Sequence, residues 1–162
     1  MPRILLAVDE TDQSVHAARV AQQLFGADAQ YLAVNVSEQP VDWVTPGVVW
    51  GGVYAWAPYP WPGASPEEGG ERWNELEQSA EQVAAGLARD AGVDDARAVG
   101  EVGDPVVAIL EAAEQHEADV IVVGSHSKGW WQRLIEGSVS ESLVREAHRP
   151  VLVVKEPERA TE

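Results

Sequence analysis

A chain of 162 residues has the length of one domain, which is long enough to bury a sizeable core. The absence of cysteine excludes disulfides, thiolate metal sites and cysteine nucleophiles. A formal net charge of -16, from 27 acidic and 11 basic residues, repels nucleic acid and anionic lipid, so we expect neither as a partner.

The first part of the chain predicts a strand, a helix and a second strand. The apolar run Ile4–Val8 is typical of a strand buried on both faces, and the polar run 9–12 predicts a capped helix start. Apolar residues then recur with helical period up to a C-terminal cap at Gly26, before the strand Tyr31–Val36. Because no signal-peptide pattern and no apolar stretch of about 18 residues occurs, we predict a cytoplasmic protein without a membrane span.

Residues 40–70 predict a long loop, inserted into the domain. The segment contains six prolines and six glycines, which interrupt regular structure. A packed flap is one interpretation, because tryptophans bury large areas and prolines lower the entropy cost of ordering a loop. A lid over a ligand, a protein-binding face and an aromatic small-molecule pocket are the others. The aromatic residues are Trp43, Trp50, Tyr54, Trp56, Tyr59 and Trp61.

The rest of the chain alternates between helices and strands. A helical stripe runs from Trp73 to Leu87, and a strand is predicted over Ala96–Val102. Asp104 and Pro105 are the residue types that cap and begin a third helix. The last elements are the strand Asp119–Gly124, a helix opened by Gly137 and Ser138, and the strand Pro150–Val154. This alternation predicts a doubly wound parallel sheet, which binds ligands beyond the carboxyl ends of its strands.

The most specific pattern lies in two glycine-containing segments near those strand ends. Gly124, the nine residues 128–136, Gly137 and Ser138 resemble the signature of nucleotide-binding universal stress proteins. Ser127 stands where that signature has its second glycine. The resemblance extends over nearly the whole chain, including the segments 7–9, 103–105 and 149–154.

The resemblance implies a single flavodoxin-like, Rossmann-like α/β domain over residues 1–157, with strand order 3-2-1-4-5 and a polar tail over 158–162. It further implies a stress-response regulator that binds ATP or a related adenine nucleotide, with Mg²⁺ on the phosphates. The nucleoside contacts it implies are Ala7 and Asp9, and it implies that the main chain of Val36 contacts the adenine. The phosphate-side contacts it implies are Gly124, Ser125, His126, Ser127, Lys128, Gly137, Ser138, Val139 and Ser140.

Elementary chemistry agrees with an anion site in these segments. Glycines allow main-chain N–H groups to approach phosphate oxygens, and Ser138 adds a hydroxyl donor at a helix start, where the dipole favours an anion. Lys128 adds local positive charge, and the Asp9 carboxylate can accept hydrogen bonds from ribose hydroxyls. The Cβ of Ser127 is expected to crowd the phosphates if its backbone requires a positive φ.

Two other functions remain open at this point. One is a nucleotide-free interaction protein, whose Trp-rich loop binds an unknown protein partner, and the other is a slow nucleotide hydrolase. No water-activating base or nucleophile motif is recognisable, so any hydrolysis is expected to be slow. The apolar last strand over 151–154 would be an exposed sheet edge, and we predict that it pairs with its twin in a homodimer.

Overall fold

Five strands and four helices alternate in the part of the chain that the computed structural model describes, residues 1–37, 66–125 and 139–155. The tail after residue 155 and the segments 38–65 and 126–138 lie outside the described residues. The elements, in chain order, are β1 (Arg3–Ala7), α1 (Asp12–Phe25), β2 (Gln30–Ser37), α2 (Pro66–Asp90), β3 (Arg97–Val102), α3 (Pro105–Gln115), β4 (Val120–Ser125), α4 (Val139–Glu146) and β5 (Val151–Lys155).

The strands form one parallel sheet in the order β3-β2-β1-β4-β5, which confirms the predicted fold and strand order. β1 lies at the centre, where Leu5 pairs with Leu32 of β2 and with Ile121 of β4. Residues 4–8 are all buried, as expected for a strand that is covered on both faces. The outer strands, β3 and β5, are the two edges of the sheet.

Hydrophobic side chains form one core on each face of the sheet. Leu6 packs in the core with Ala21 of α1 and Ala84 of α2. Its neighbour Leu5 points to the opposite core, with Ile109 of α3 and with α4. Helices α1 and α2 therefore cover one face, and α3 and α4 cover the other.

Local capping signals place the helix ends where the sequence predicts them. Gly26 has φ of 72° and donates its N–H to the Gln22 carbonyl at the end of α1. Asp104 accepts hydrogen bonds from the N–H groups of Val106 at 2.9 Å and Val107 at 3.1 Å at the start of α3. These caps satisfy main-chain groups that the helix itself leaves unpaired.

Helix α2 begins earlier than the sequence analysis predicts. The predicted loop extends to Gly70, whereas the helix begins at Pro66, so the last five residues of that prediction are wrong. Proline is compatible with a first helical turn, because its fixed φ suits the helix and its missing N–H is not needed there. Among the described helices, α2 included, none is both long and apolar enough to cross a membrane.

Candidate functional site

The carboxyl ends of β1, β2 and β4 meet where the strand order reverses. Ala7 pairs with Val34 of β2 on one side and with Val123 of β4 on the other. The helices that follow β1 and β4 pack on opposite faces, so the chain diverges here and leaves a crevice. We call this place the switch crevice. Four of the predicted contacts follow these three strand residues within two positions: Asp9, Val36, Gly124 and Ser125.

One oxygen of the Asp9 side chain has no hydrogen-bond donor among the described residues. The side chain is 3% exposed, and its Oδ1 accepts hydrogen bonds from the Thr11 N–H, at 3.1 Å, and the Thr11 hydroxyl. Its Oδ2 is also buried, and no group in the described ranges donates to it. An unpaired buried acceptor destabilises a fold by about 1–3 kcal/mol. This oxygen is therefore a fixed acceptor that a donor on a ligand can satisfy.

The start of α1 holds Asp9 in this position. Thr11 is the N-cap residue, and its hydroxyl accepts a hydrogen bond from the Ser14 N–H. The Ser14 hydroxyl donates to the Asp9 carbonyl at 2.7 Å and accepts from the Asp9 N–H at 3.0 Å. The helix start was predicted from the sequence, but the roles of these two side chains were not. Hydroxyl residues two and five positions after an aspartate are typical of an Asx turn followed by a helix cap, and this pattern could have indicated both roles.

The main chain of Val36 faces the switch crevice. The Val34 carbonyl accepts from Val8 on the β1 side, and the Ser37 carbonyl accepts from Gly103 on the β3 side. Because successive residues of a strand turn their N–H and C=O to alternate sides, those of Val36 point towards β1. The β1–β2 pairing stops at Val34, so β1 does not extend alongside Val36. A donor and an acceptor therefore lie side by side at this edge.

Gly124 lies where β4 touches the start of α1. A Cβ at this position would be 2.8 Å from the Gln13 carbonyl oxygen and 3.2 Å from the Ser14 nitrogen. Gly124 is not one of the described glycines with a positive φ, so its backbone conformation does not require glycine. Close packing against α1 is therefore sufficient to account for glycine here. This contact was not predicted from the sequence, and the predicted phosphate contact of Gly124 stays a prediction.

The remaining predicted contacts fall on β4, on α4 and between them. Ser125 is the last residue of β4 and pairs with Lys155 of β5. Val139 and Ser140 are the first two residues of α4. The predicted contacts that lie outside the described residues are His126, Ser127, Lys128, Gly137 and Ser138.

The charges around the switch crevice are unequal on its two sides. Lys155, an exposed cation that the sequence analysis did not single out, ends β5 beside β4. On the other side, Glu101 pairs with Val36, and burial raises the pKa of its carboxyl, with Glu77 and Glu111 raising it further. An anionic group of a ligand is therefore favoured on the β4–β5 side. Within residues 1–37, 66–125 and 139–155, no group of three acidic, histidine or cysteine side chains could hold a metal ion.

Comparisons with known sequences identify relatives of this chain. The profile of the Universal stress protein family matches residues 46–155. The "Universal stress protein in QAH/OAS sulfhydrylase 3'region" of Thermus aquaticus is 35% identical over 152 residues, which are 94% of this chain and 97% of that protein. Universal stress protein MJ0531 of Methanocaldococcus jannaschii is 46% identical over 57 residues, 35% of this chain. That match spans only 34% of the length of MJ0531, and two further relatives are matched over 33% and 32% of theirs.

Solved structures share the fold at low sequence identity. The structure of MJ0577 covers 98% of both chains with a TM-score of 0.67 and 20% identity. A universal stress protein in complex with cAMP covers 94% of this chain and 96% of its own, with a TM-score of 0.58 and 21% identity. An Arabidopsis thaliana protein with AMP bound covers 100% of this chain and 97% of its own, with a TM-score of 0.55 and 17% identity. At these identities the likeness shows the fold alone.

Proposed function

We propose that this chain, which belongs to the universal stress protein family, binds an adenine nucleotide in the switch crevice and acts as a stress-response regulator. The observation that carries the proposal is the unpaired Oδ2 of Asp9, which is buried two residues after the end of β1. A ribose hydroxyl is a donor of the right kind for this carboxylate. Two proteins of the same fold hold cAMP and AMP, which supports an adenine nucleotide as the ligand.

The phosphates lie, in this proposal, on the β4–α4 side of the switch crevice. The described part of α4 begins at Val139, and a helix N-terminus offers main-chain N–H groups and the positive end of the helix dipole to an anion. The segment from Gly124 to Lys128, with Gly137 and Ser138, carries the remaining predicted donors. Ser127 replaces the second glycine of the signature, so we expect phosphate affinity below that of a chain with glycine there.

Mg²⁺ accompanies the phosphates in this proposal. In this proposal the phosphate oxygens and water coordinate the ion, and the described residues contain no three-ligand cluster of their own. The bound cation offsets the repulsion between a chain of charge -16 and a polyphosphate. Affinity for ATP is therefore expected to depend on Mg²⁺, and affinity for AMP is expected to depend on it less.

Titration calorimetry tests the binding of ATP with Mg²⁺, AMP and cAMP. We expect heat with at least one of them and a roughly tenfold weaker affinity for the Asp9→Ala variant, which loses the free acceptor. Asp28→Ala, at an exposed acid in the turn before β2, is the matched control and should bind as the wild type does. Absence of heat with all three ligands at millimolar concentration would falsify the proposal.

The same samples test the enzymatic alternative. We propose binding without fast turnover, so phosphate release from ATP should be slow. Release that disappears in Gly137→Asp would instead make the chain a nucleotide hydrolase. The cytoplasmic location remains a prediction.

We also propose a homodimer through β5. This strand is an edge of the sheet, and the side chain of Val153 is 39% exposed. An unpaired apolar edge associates readily with a second copy. Light scattering should show a dimer for the wild type and a monomer for Val153→Lys. Val107→Lys, at a 52% exposed valine on α3, is the control and should stay dimeric.

A further inference from the structure

The main-chain hydrogen bonds between β1 and β2 stop one bond before the regular parallel pattern would end. The Val8 N–H donates to the Val34 carbonyl at 2.9 Å, which continues the parallel pattern past the end of β1. The next bond of that pattern would run from the Val36 N–H to the Val8 carbonyl. This carbonyl accepts from Asn35 Nδ2 instead, at 2.9 Å. A side-chain amide has therefore taken the place of a main-chain donor.

This substitution matters because of where Asn35 lies. Its own N–H and C=O turn towards β3, since they alternate with those of Val36. Only its side chain reaches across to the end of β1. There it donates to the carbonyl of Val8, which is the residue before the buried Asp9. Side-chain amides that bond to nearby main-chain groups compete with regular secondary structure in this way.

We infer that Asn35 is a positioning residue that keeps the main chain of Val36 open to a ligand, by occupying the Val8 carbonyl to which the Val36 N–H would otherwise bond. The open edge offers one N–H donor next to one C=O acceptor. Adenine, which the resemblance already implies at Val36, carries an acceptor nitrogen beside an amino group and matches this pair, whereas hypoxanthine has the reverse order and opposes it. This assignment of the base rests on the nucleotide site proposed above, whereas the open edge does not.

Amide hydrogen exchange, measured by NMR without nucleotide, tests the open edge. In the wild type, the Val36 amide should exchange at least about tenfold faster than the amides of Asn35 and Ser37, which face β3 and serve as internal references. In Asn35→Leu, which keeps a similar size but lacks the donor, the Val36 amide should slow towards those references, because its N–H closes onto the Val8 carbonyl. Asn35→Asp is a second variant without the amide donor and should act in the same direction.

Affinities for ATP and inosine triphosphate, both with Mg²⁺, test the assigned base. The wild type should prefer ATP, and Asn35→Leu should lose roughly tenfold of that preference. Asn74→Leu, at an exposed asparagine of α2, should change neither the exchange rate nor the preference.

The two measurements separate failure of this inference from failure of the proposed function. If the wild type binds neither nucleotide, the proposed function and the assigned base fail together, while the exchange rates still decide whether Asn35 holds the edge open. A slow Val36 amide in the wild type, or an unchanged rate in both Asn35 variants, overturns the positioning role. An unchanged preference in a variant whose Val36 amide has slowed overturns the assigned base.

Discussion

Gly100 and Gly124 both lie in strands against which a helix main chain packs, but only one of them borders the switch crevice. A Cβ on Gly100 of β3 would overlap the Glu77 carbonyl oxygen and lie 2.5 Å from the Glu81 nitrogen, both in α2. A Cβ on Gly124 of β4 would meet the start of α1 at 2.8 Å. Packing explains both glycines without any ligand. A glycine that matches a nucleotide signature is therefore weak evidence for phosphate binding until its neighbours are known.

The two glycines differ in what a displaced helix would move. At Gly124 the neighbouring residues are Gln13 and Ser14, and Ser14 is hydrogen-bonded to the main chain of Asp9. A shift of this helix start would be passed to the carboxylate that carries the proposed function. At Gly100 the neighbouring residues are Glu77 and Glu81 of α2, and no hydrogen bond among the described residues joins them to Asp9. Substitutions at the two positions should thus separate stability from binding.

The largest effect is expected for Gly100→Ala. The added methyl cannot be placed without moving the main chain of α2, so we expect a loss of about 3 kcal/mol in the free energy of unfolding. Urea unfolding measures it, and nucleotide affinity of the folded fraction should stay the same. Gly86 lies in α2 itself, and an added Cβ there would have no atom within 4 Å, so Gly86→Ala should be neutral or stabilising. Equal stability of the two variants would show that α2 and β3 are not packed as described.

Gly124→Ala should have the next largest effect on stability and a larger effect on binding. Its closest contacts are looser than those of Gly100, so we expect a loss of about 1–2 kcal/mol. Nucleotide affinity should fall roughly tenfold, because the start of α1 and the Asp9 carboxylate move together. Calorimetry and urea unfolding on the same sample measure both quantities. A destabilised variant with full affinity would contradict the coupling between α1 and the site.

Thr11→Val tests the link from the helix start to Asp9 directly. The variant loses the N-cap hydroxyl and one donor to Asp9 Oδ1, so we expect a loss of about 1 kcal/mol and a severalfold weaker affinity. Thr11→Ser should restore both. Asp104→Ala removes the N-cap of α3 and should lose similar stability with unchanged affinity. If Thr11→Val and Asp104→Ala weaken affinity equally, Thr11 has no specific role.

The smallest effect is expected beside Gly100, at Glu101. Its pKa is raised in the folded protein, first by burial and then by Glu77 and Glu111, so folding favours the protonated form. The ionised carboxyl is therefore destabilising above its folded pKa, and this penalty disappears below the ordinary value of 4.5. Glu101→Gln should stabilise the protein near neutral pH, by at most about 0.5 kcal/mol, and have no effect in acid. Thermal unfolding across pH measures the gain, and Glu114→Gln, at an exposed position, should show none.

Features that depend on neighbouring residues in the sequence were predicted closely. The apolar run Ile4–Val8, the Gly26 cap and the Asp104 cap all have their determinants within a few residues. The start of α2 at Pro66 was missed, because proline and glycine are also typical of a loop. The strand order came from the resemblance to a family and is confirmed by the sheet.

The amino-acid sequence by itself determined the alternation of strands and helices, the family, and the position of Asp9 at a strand end, because periodicity and capping act between near neighbours. Only the tertiary structure decided which groups are satisfied there. Gly100 meets Glu77 and Glu81 of the preceding helix, and the side chain of Asn35 reaches Val8, which lies 27 residues earlier in the chain. Such contacts depend on which strands lie side by side, so no local pattern could reveal the free Asp9 oxygen or the open edge of Val36.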